Sequence, residues 1–156
     1  MNTSPVYAQI CVQRIASMDY LRDLVSAVQD ICAQAQLQDA DDFRVAVEEA
    51  CVNIIHYAYV GQTTGSVELD VIWSEDNGAP AILCTLRDHG VRFNPLARPL
   101  PDLTLPAEER DIGGLGILFM RQMSDRVVWT YDANLGNCLT LIKYIQPPIS
   151  TASLST

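Results

Sequence analysis

Glu49-Ala50-Cys51-Val52-Asn53, Asp88-His89-Gly90-Val91-Arg92-Phe93-Asn94-Pro95 and Gly113-Gly114-Leu115-Gly116 follow one another along the chain, and their joint reading decides the fold. Around the first, Val47, Cys51, Ile54 and Ala58 fall on one narrow stripe at about 100° per residue, so a helix here packs that stripe inward. Glu49 and Asn53 lie roughly opposite the stripe, one turn apart, with His56 on the same side. A carboxylate and an amide are thus held together on a rigid element. Asn is a poor helix-interior residue, so its place calls for either a role or exposure. A solvated polar face has the same spacing. Glu48, equally acidic, points about 100° away and has no partner four residues on.

The other two motifs are built on glycine. Asp88 closes a predicted strand, and Gly90 lets a backbone approach closely. A carboxylate there can accept a hydrogen bond from an exocyclic amine such as that of adenine, although an ordinary Asp-x-Gly turn uses the same residues. Gly113, Gly114 and Gly116 precede an apolar helical run. Free N–H groups at a helix start attract anions, and glycines there can also be simple punctuation. This is neither a Walker loop, which ends in Gly-Lys-Ser/Thr, nor the GxGxxG dinucleotide turn. Together the three pieces can build a magnesium-nucleotide pocket.

Composition narrows the partners. A length of 156 residues fits one domain with a real core, and 49% apolar with 19% charged residues is globular composition. A net charge of −9 argues against nucleic acid, which requires clustered Lys and Arg. Lys143 is the only lysine. Any phosphate site must lean on backbone N–H groups, a metal ion and the few arginines. The five cysteines form no CxxC pair, so neither zinc nor a redox dithiol is expected, and most should be buried core thiols. The N-terminus lacks the basic and apolar regions of a secretory signal, and no apolar run approaches a span of ~20 residues. The expected compartment is the cytoplasm, with no membrane contact.

Val6 to Val12 alternates as a half-buried strand. Ser17 or Asp19 could cap a helix through Leu21, Leu24, Val25, Val28, Ile31 and Cys32, and Asp39, Asp41 and Asp42 open a second helix reaching about Tyr59. Ser66 to Trp73 and Ala81 to Arg87 read as a hairpin around Asp76-Asn77-Gly78. From His89 to Ile112, Pro95, Pro99, Pro101 and Pro106 exclude a regular helix, leaving a long loop of the kind that serves as a lid. Gly116 to Ser124 should be helical, with a last hairpin of Arg126 to Tyr131 and Cys138 to Ile145 around Asn134-Leu135-Gly136-Asn137. Residues 1–146 form the expected domain and 147–156 a flexible tail. The order implies an α+β fold with helices on one face of an antiparallel-rich sheet.

Taken together, these residues resemble the GHKL ATP-binding superfamily, and within it the compact anti-sigma-factor serine/threonine-protein kinases of bacteria. Glu49 to Tyr59 resembles the asparagine box, DHGVRFNP the first glycine box, GGLGILFMRQMSD the second with its helix, and GNCLTLIKYI the last strand. The resemblance covers roughly residues 5 to 146. It implies the Bergerat-type α/β sandwich, with a mixed, mostly antiparallel sheet. It assigns ATP and Mg2+ as cofactors, Asn53 as the metal ligand, Asp88 as the partner of the adenine amine, and Glu49 as the general base. Gly90, Phe93, Arg110, Gly113, Gly114, Leu115 and Gly116 complete the implied nucleotide site. Implied partners are a STAS-domain anti-anti-sigma factor and a sigma factor or other regulatory protein, with a homodimer admitted. Two departures stand out. Tyr57-Ala58-Tyr59 replaces the His-Ala-Tyr of many relatives, and Ile112 stands where some place an arginine, with Arg110 two residues upstream.

Two functions compete. One is an ATP-dependent protein serine/threonine kinase that also sequesters a regulator. The other is a nucleotide-responsive binding module without significant kinase activity. Glu49 favours the first, since a pure binder needs no base.

Overall fold

The computed structural model describes residues 3–109 and 114–146, which build a five-stranded sheet and three helices. The expected tail and the segment 110–113, with Arg110 and Gly113, lie outside the described residues. The strands are β1 (Ala8–Ile15), β2 (Ser66–Asp76), β3 (Ala79–Asp88), β4 (Arg126–Asp132) and β5 (Gly136–Tyr144), in the spatial order β1-β2-β3-β5-β4. All four pairings are antiparallel. The architecture is α+β, as expected.

Each element follows from its side-chain period. Register places Ile10, Val71, Cys84, Leu141 and Val127 side by side across the sheet, with Val12, Leu69, Leu86, Leu139 and Trp129 in a neighbouring row. These rows share one face, because successive side chains of a strand alternate. Helix α1 (Leu21–Gln34) buries Leu24, Val28 and Ile31 on that face, and helix α2 (Ala40–Asn53) buries Phe43, Ala46, Val47, Ala50 and Cys51. Helix α3 (Gly114–Gln122) adds Met120 to the same core and packs on α2. The predicted stripe Val47, Cys51, Ile54 and Ala58 is buried throughout.

The β2–β3 turn forms as read, with Asn77 and Gly78 both left-handed at φ 51° and 79°, the twist a two-residue hairpin requires. Differences from the expected pattern lie at element ends. Strand β1 starts later and runs further than Val6 to Val12, because its antiparallel ladder on β2 continues to Ile15 opposite Ser66. The second helix stays α-helical only to Asn53 and then widens into a π-helical turn, Ile54–Ala58. Ser17 accepts a hydrogen bond from the Asp19 backbone N–H and caps a short 3-10 turn ahead of α1. Among the cysteines, Cys32, Cys51 and Cys84 are buried, whereas Cys11 is exposed on edge strand β1. Burial pushes the Cys32 and Cys51 thiols up to about 12, so they act as core apolar groups. No helix among the described residues is long and apolar enough to cross a membrane.

Candidate functional site

The helix period turns Glu49 and Asn53 away from the core stripe, yet neither is solvated; both are half-buried. Glu48 points elsewhere and pairs with Arg44 at 2.6 Å. Asn53 ends α2 at the π-helical turn, a widening that recurs at functional positions. It lines a cleft of about 680 Å³ with the open solvent at its mouth included. Ala50, Ile54 and Ala58 line it from α2 and the π-helical turn, Met120 from α3, Leu139 from β5, and Val91, Phe93 and Pro95 from the loop after β3. Asp88, at the end of β3, also faces this cleft.

Close contacts explain the glycines. A Cβ at Gly90 would run into the backbone carbonyl of Ala58, the same carbonyl that accepts a hydrogen bond from Val91 N at 2.8 Å. The first glycine loop therefore sits directly on the π-helical turn, and a side chain there would lift it off. A Cβ at Gly116 would lie 2.5 Å from Glu49 Oε2, so the first turn of α3 rests against the Glu49 carboxylate. Among its described residues, the long loop after β3 has no regular helix beyond two short 3-10 turns, and Pro101 packs over Gly114.

Of the sequence-predicted residues, Asn53, Asp88 and Phe93 share the cleft, Gly90 seats its loop, and Glu49 meets Gly116. The Leu115 side chain is 43% exposed and does not line the cleft. His56 is exposed, its ring 6.1 Å from Tyr57. Arg110 and Gly113 lie outside the described residues. Sequence reasoning misses Asn137 and Trp129, which line the cleft from β5 and β4. In the sequence Asn137 reads as part of a hairpin turn and of the closing GNCLTLIKYI stretch, with no side-chain role. Its signal is the strand register, which sets it directly opposite Asp88.

The electrostatics follow from burial. Asp88 is 5% exposed, and burial raises its pKa while hydrogen bonds from Asn137 Nδ2 (3.0 Å) and Gly90 N (2.9 Å) pull the other way. Both bonds end on Oδ1, leaving Oδ2 as the oxygen free to face the cleft. Lys143 is engaged with Asp125 at 3.5 Å and Asp39 at 3.8 Å. The cations beside the cleft are arginines: Arg92 stacks over Tyr131 and Trp129 at 5.1 and 5.7 Å, and Arg98 over Phe93 at 5.5 Å.

The donor set suits a nucleotide with one metal ion. Asn53 Nδ2 is shut off from solvent without a hydrogen-bond partner. Leaving a buried N–H donor unpaired costs about 1–3 kcal/mol, and such a donor can serve an anionic ligand oxygen but not a cation. Among the described residues no group of three His, Cys, Asp or Glu could cage a metal alone. A magnesium ion brought by a nucleotide would have to take the other atom of that amide, Asn53 Oδ1, with phosphate oxygens and water completing its shell, the usual habit of that ion.

A profile of the histidine kinase-like ATPase domain matches residues 15–143. The chain is similar to a serine-protein kinase RsbW of Bacillus cereus, with 30% identity over 112 residues, covering 69% of this chain and 66% of that protein. It is 28% identical over 109 residues to the serine-protein kinase RsbW of Listeria monocytogenes, covering 67% of this chain and 66% of that protein. An anti-sigma F factor of Bacillus thuringiensis is 26% identical over 109 residues, covering 70% of this chain and 72% of that protein.

Proposed function

This chain belongs to the histidine kinase-like ATPase domain family, and on that premise we propose that it binds ATP with Mg2+ and transfers the γ-phosphate to a serine or threonine of a partner protein. The observation that carries the reading is the shared face of α2. The Glu49 carboxylate lies against the first turn of α3, and Asn53, whose Nδ2 is unpaired, lines the cleft that Asp88 also lines. Asp88 Oδ2 accepts from the adenine amine, the apolar walls hold the base, and Asn53 Oδ1 holds the metal. Backbone N–H groups opening α3 receive phosphate oxygens. Glu49 orients the acceptor hydroxyl and takes its proton as that oxygen bonds to the γ-phosphorus and ADP leaves. Bound magnesium neutralises phosphate charge, which is most of what phosphoryl transfer requires.

The partner we propose is a STAS-domain anti-anti-sigma factor, with a sigma factor or other regulatory protein as the sequestered target. The names of the relatives, serine-protein kinase and anti-sigma F factor, support this choice. A homodimer in the cytoplasm belongs to the same proposal, and sedimentation velocity tests the dimer. The decisive experiment incubates the protein with labelled ATP, Mg2+ and every STAS-domain protein of its genome. Label should appear on a serine or threonine of one of them and vanish with Glu49→Gln.

One observation favours the second reading, a nucleotide-responsive binding module without significant turnover. Glu49 has no hydrogen bond or ion pair to another described residue that would orient it as a base. ATP-dependent partner binding with no label on any STAS domain would select that reading.

A further inference from the structure

Asn137 is the second residue of β5, and it is only 6% exposed. Its amide donates to Asp88 Oδ1 at 3.0 Å and to Val91 O at 2.9 Å. Its Oδ1 accepts from Phe93 N at 3.1 Å and from Trp129 Nε1 at 3.3 Å. An Asn side chain has two donors and two acceptor lone pairs, and all four are used. Nothing is left over to touch a ligand. Each partner, however, lines the cleft. Gly136 makes the approach feasible: its φ is 76°, and a Cβ there would collide with the Asp88 backbone carbonyl.

A carboxylate free to rotate presents two equivalent oxygens in no fixed direction. Asp88 is not free, because Gly90 N and Asn137 Nδ2 both grip Oδ1. We propose that Asn137 is a positioning residue for base recognition: by holding Oδ1 of Asp88 it presents Oδ2 as the single acceptor for a 6-amino purine. This rests on the ATP-binding reading above and adds the device that gives the site its preference for an amine at the purine 6-position. The same bond serves ionisation. Burial favours the protonated Asp88, and a protonated oxygen would offer a donor to an amine that needs an acceptor; the Asn137 bond opposes that. A buried Asn that only stitched the glycine loop to the sheet would also make bonds to Val91, Phe93 and Trp129. It would have no bearing on which base binds.

The test is calorimetry with ATP and with purine riboside 5′-triphosphate, which lacks only the 6-amine, both with Mg2+. The wild type should prefer ATP by about 10- to 150-fold, the range for a hydrogen bond to a charged group. Asn137→Leu keeps the volume but loses all four bonds, and Asn137→Ala loses both bonds and volume. Near-ultraviolet circular dichroism confirms that each retains the Trp129 environment. If Asn137→Ala fails to fold, Asn137→Leu carries the comparison. In both variants the ATP preference should fall to within about twofold of unity, while affinity for purine riboside triphosphate changes less than about threefold. Equal weakening of both nucleotides, with the preference kept, would overturn the proposal and leave Asn137 as a loop stitch. Asp88→Ala is the control for the underlying reading. A wild type without preference, or a preference that survives Asp88→Ala, means that Asp88 does not read the amine, and the proposal falls with it.

Discussion

Asp88→Asn should invert the preference for the purine 6-substituent and stabilise the free protein at the same time. Asn at this position keeps Oδ1 for Gly90 N and Asn137 Nδ2, and turns an NH2 where Oδ2 stood. The adenine amine then meets a donor instead of an anionic acceptor. A hydrogen bond to a charged group contributes about 1.5–3 kcal/mol, so ATP affinity should drop about 10- to 150-fold. Inosine triphosphate, with an acceptor at the 6-position, should gain about 2- to 10-fold from one neutral hydrogen bond. Wild-type protein should bind ATP and ADP well and GTP poorly for the same reason. Stability moves in the opposite sense. Burial raises the Asp88 pKa, so its folded-state value lies above the unfolded one. For a carboxyl group that means stability is highest below the unfolded pKa, declines as pH rises to the folded pKa, and stays at the lower level beyond. The variant has no such loss. Its melting temperature without nucleotide should exceed that of the wild type at pH 7, with the gap narrowing on acidification. Calorimetry with ATP and inosine triphosphate, alongside thermal melts over pH, measures both effects. Unchanged ATP affinity, or a lower melting temperature at pH 7, would refute the reasoning.

Three further outcomes separate binding, chemistry and lid motion. Asn53→Ala should weaken magnesium-dependent ATP binding, whereas Glu49→Gln should leave binding nearly intact and slow phosphoryl transfer by roughly 10²-fold or more; wild-type transfer rates in Glu49→Gln would remove Glu49 from the base role. Gly116→Ala should fold normally, because its new methyl meets only the movable Glu49 carboxylate, but should displace that carboxylate and lower transfer. Gly90→Ala meets the Ala58 backbone and should instead lower the melting temperature, by a few degrees for each kcal/mol lost; the opposite pattern in the pair would contradict the packing. The proline-rich loop from His89 to Ile112 should be cleaved by protease in the free protein and protected more by a non-hydrolysable ATP analogue with Mg2+ than by ADP, the behaviour of a segment ordered by the γ-phosphate. Equal cleavage in all three states would leave it as a static loop.

What the chain's own order determined is what local periodicity can encode. The stripe Val47, Cys51, Ile54 and Ala58, and the opposed pair Glu49 and Asn53, follow from 3.6 residues per turn without knowledge of any partner. Asn77-Gly78 declares its hairpin because only left-handed residues close that turn. Tertiary structure decided the rest. The extent of β1 was set by the ladder it shares with β2, not by its own alternation. The π-helical turn carries the carbonyl of Ala58 on which the loop at Gly90–Val91 sits. Most of all, the state of the Asp88 carboxylate depends on Asn137, 49 residues away. Dihedral preferences act over a few residues, whereas register across a sheet is settled by which faces bury together. Only once β5 lies beside β3 does Asp88 have one oxygen held and one left to face the cleft.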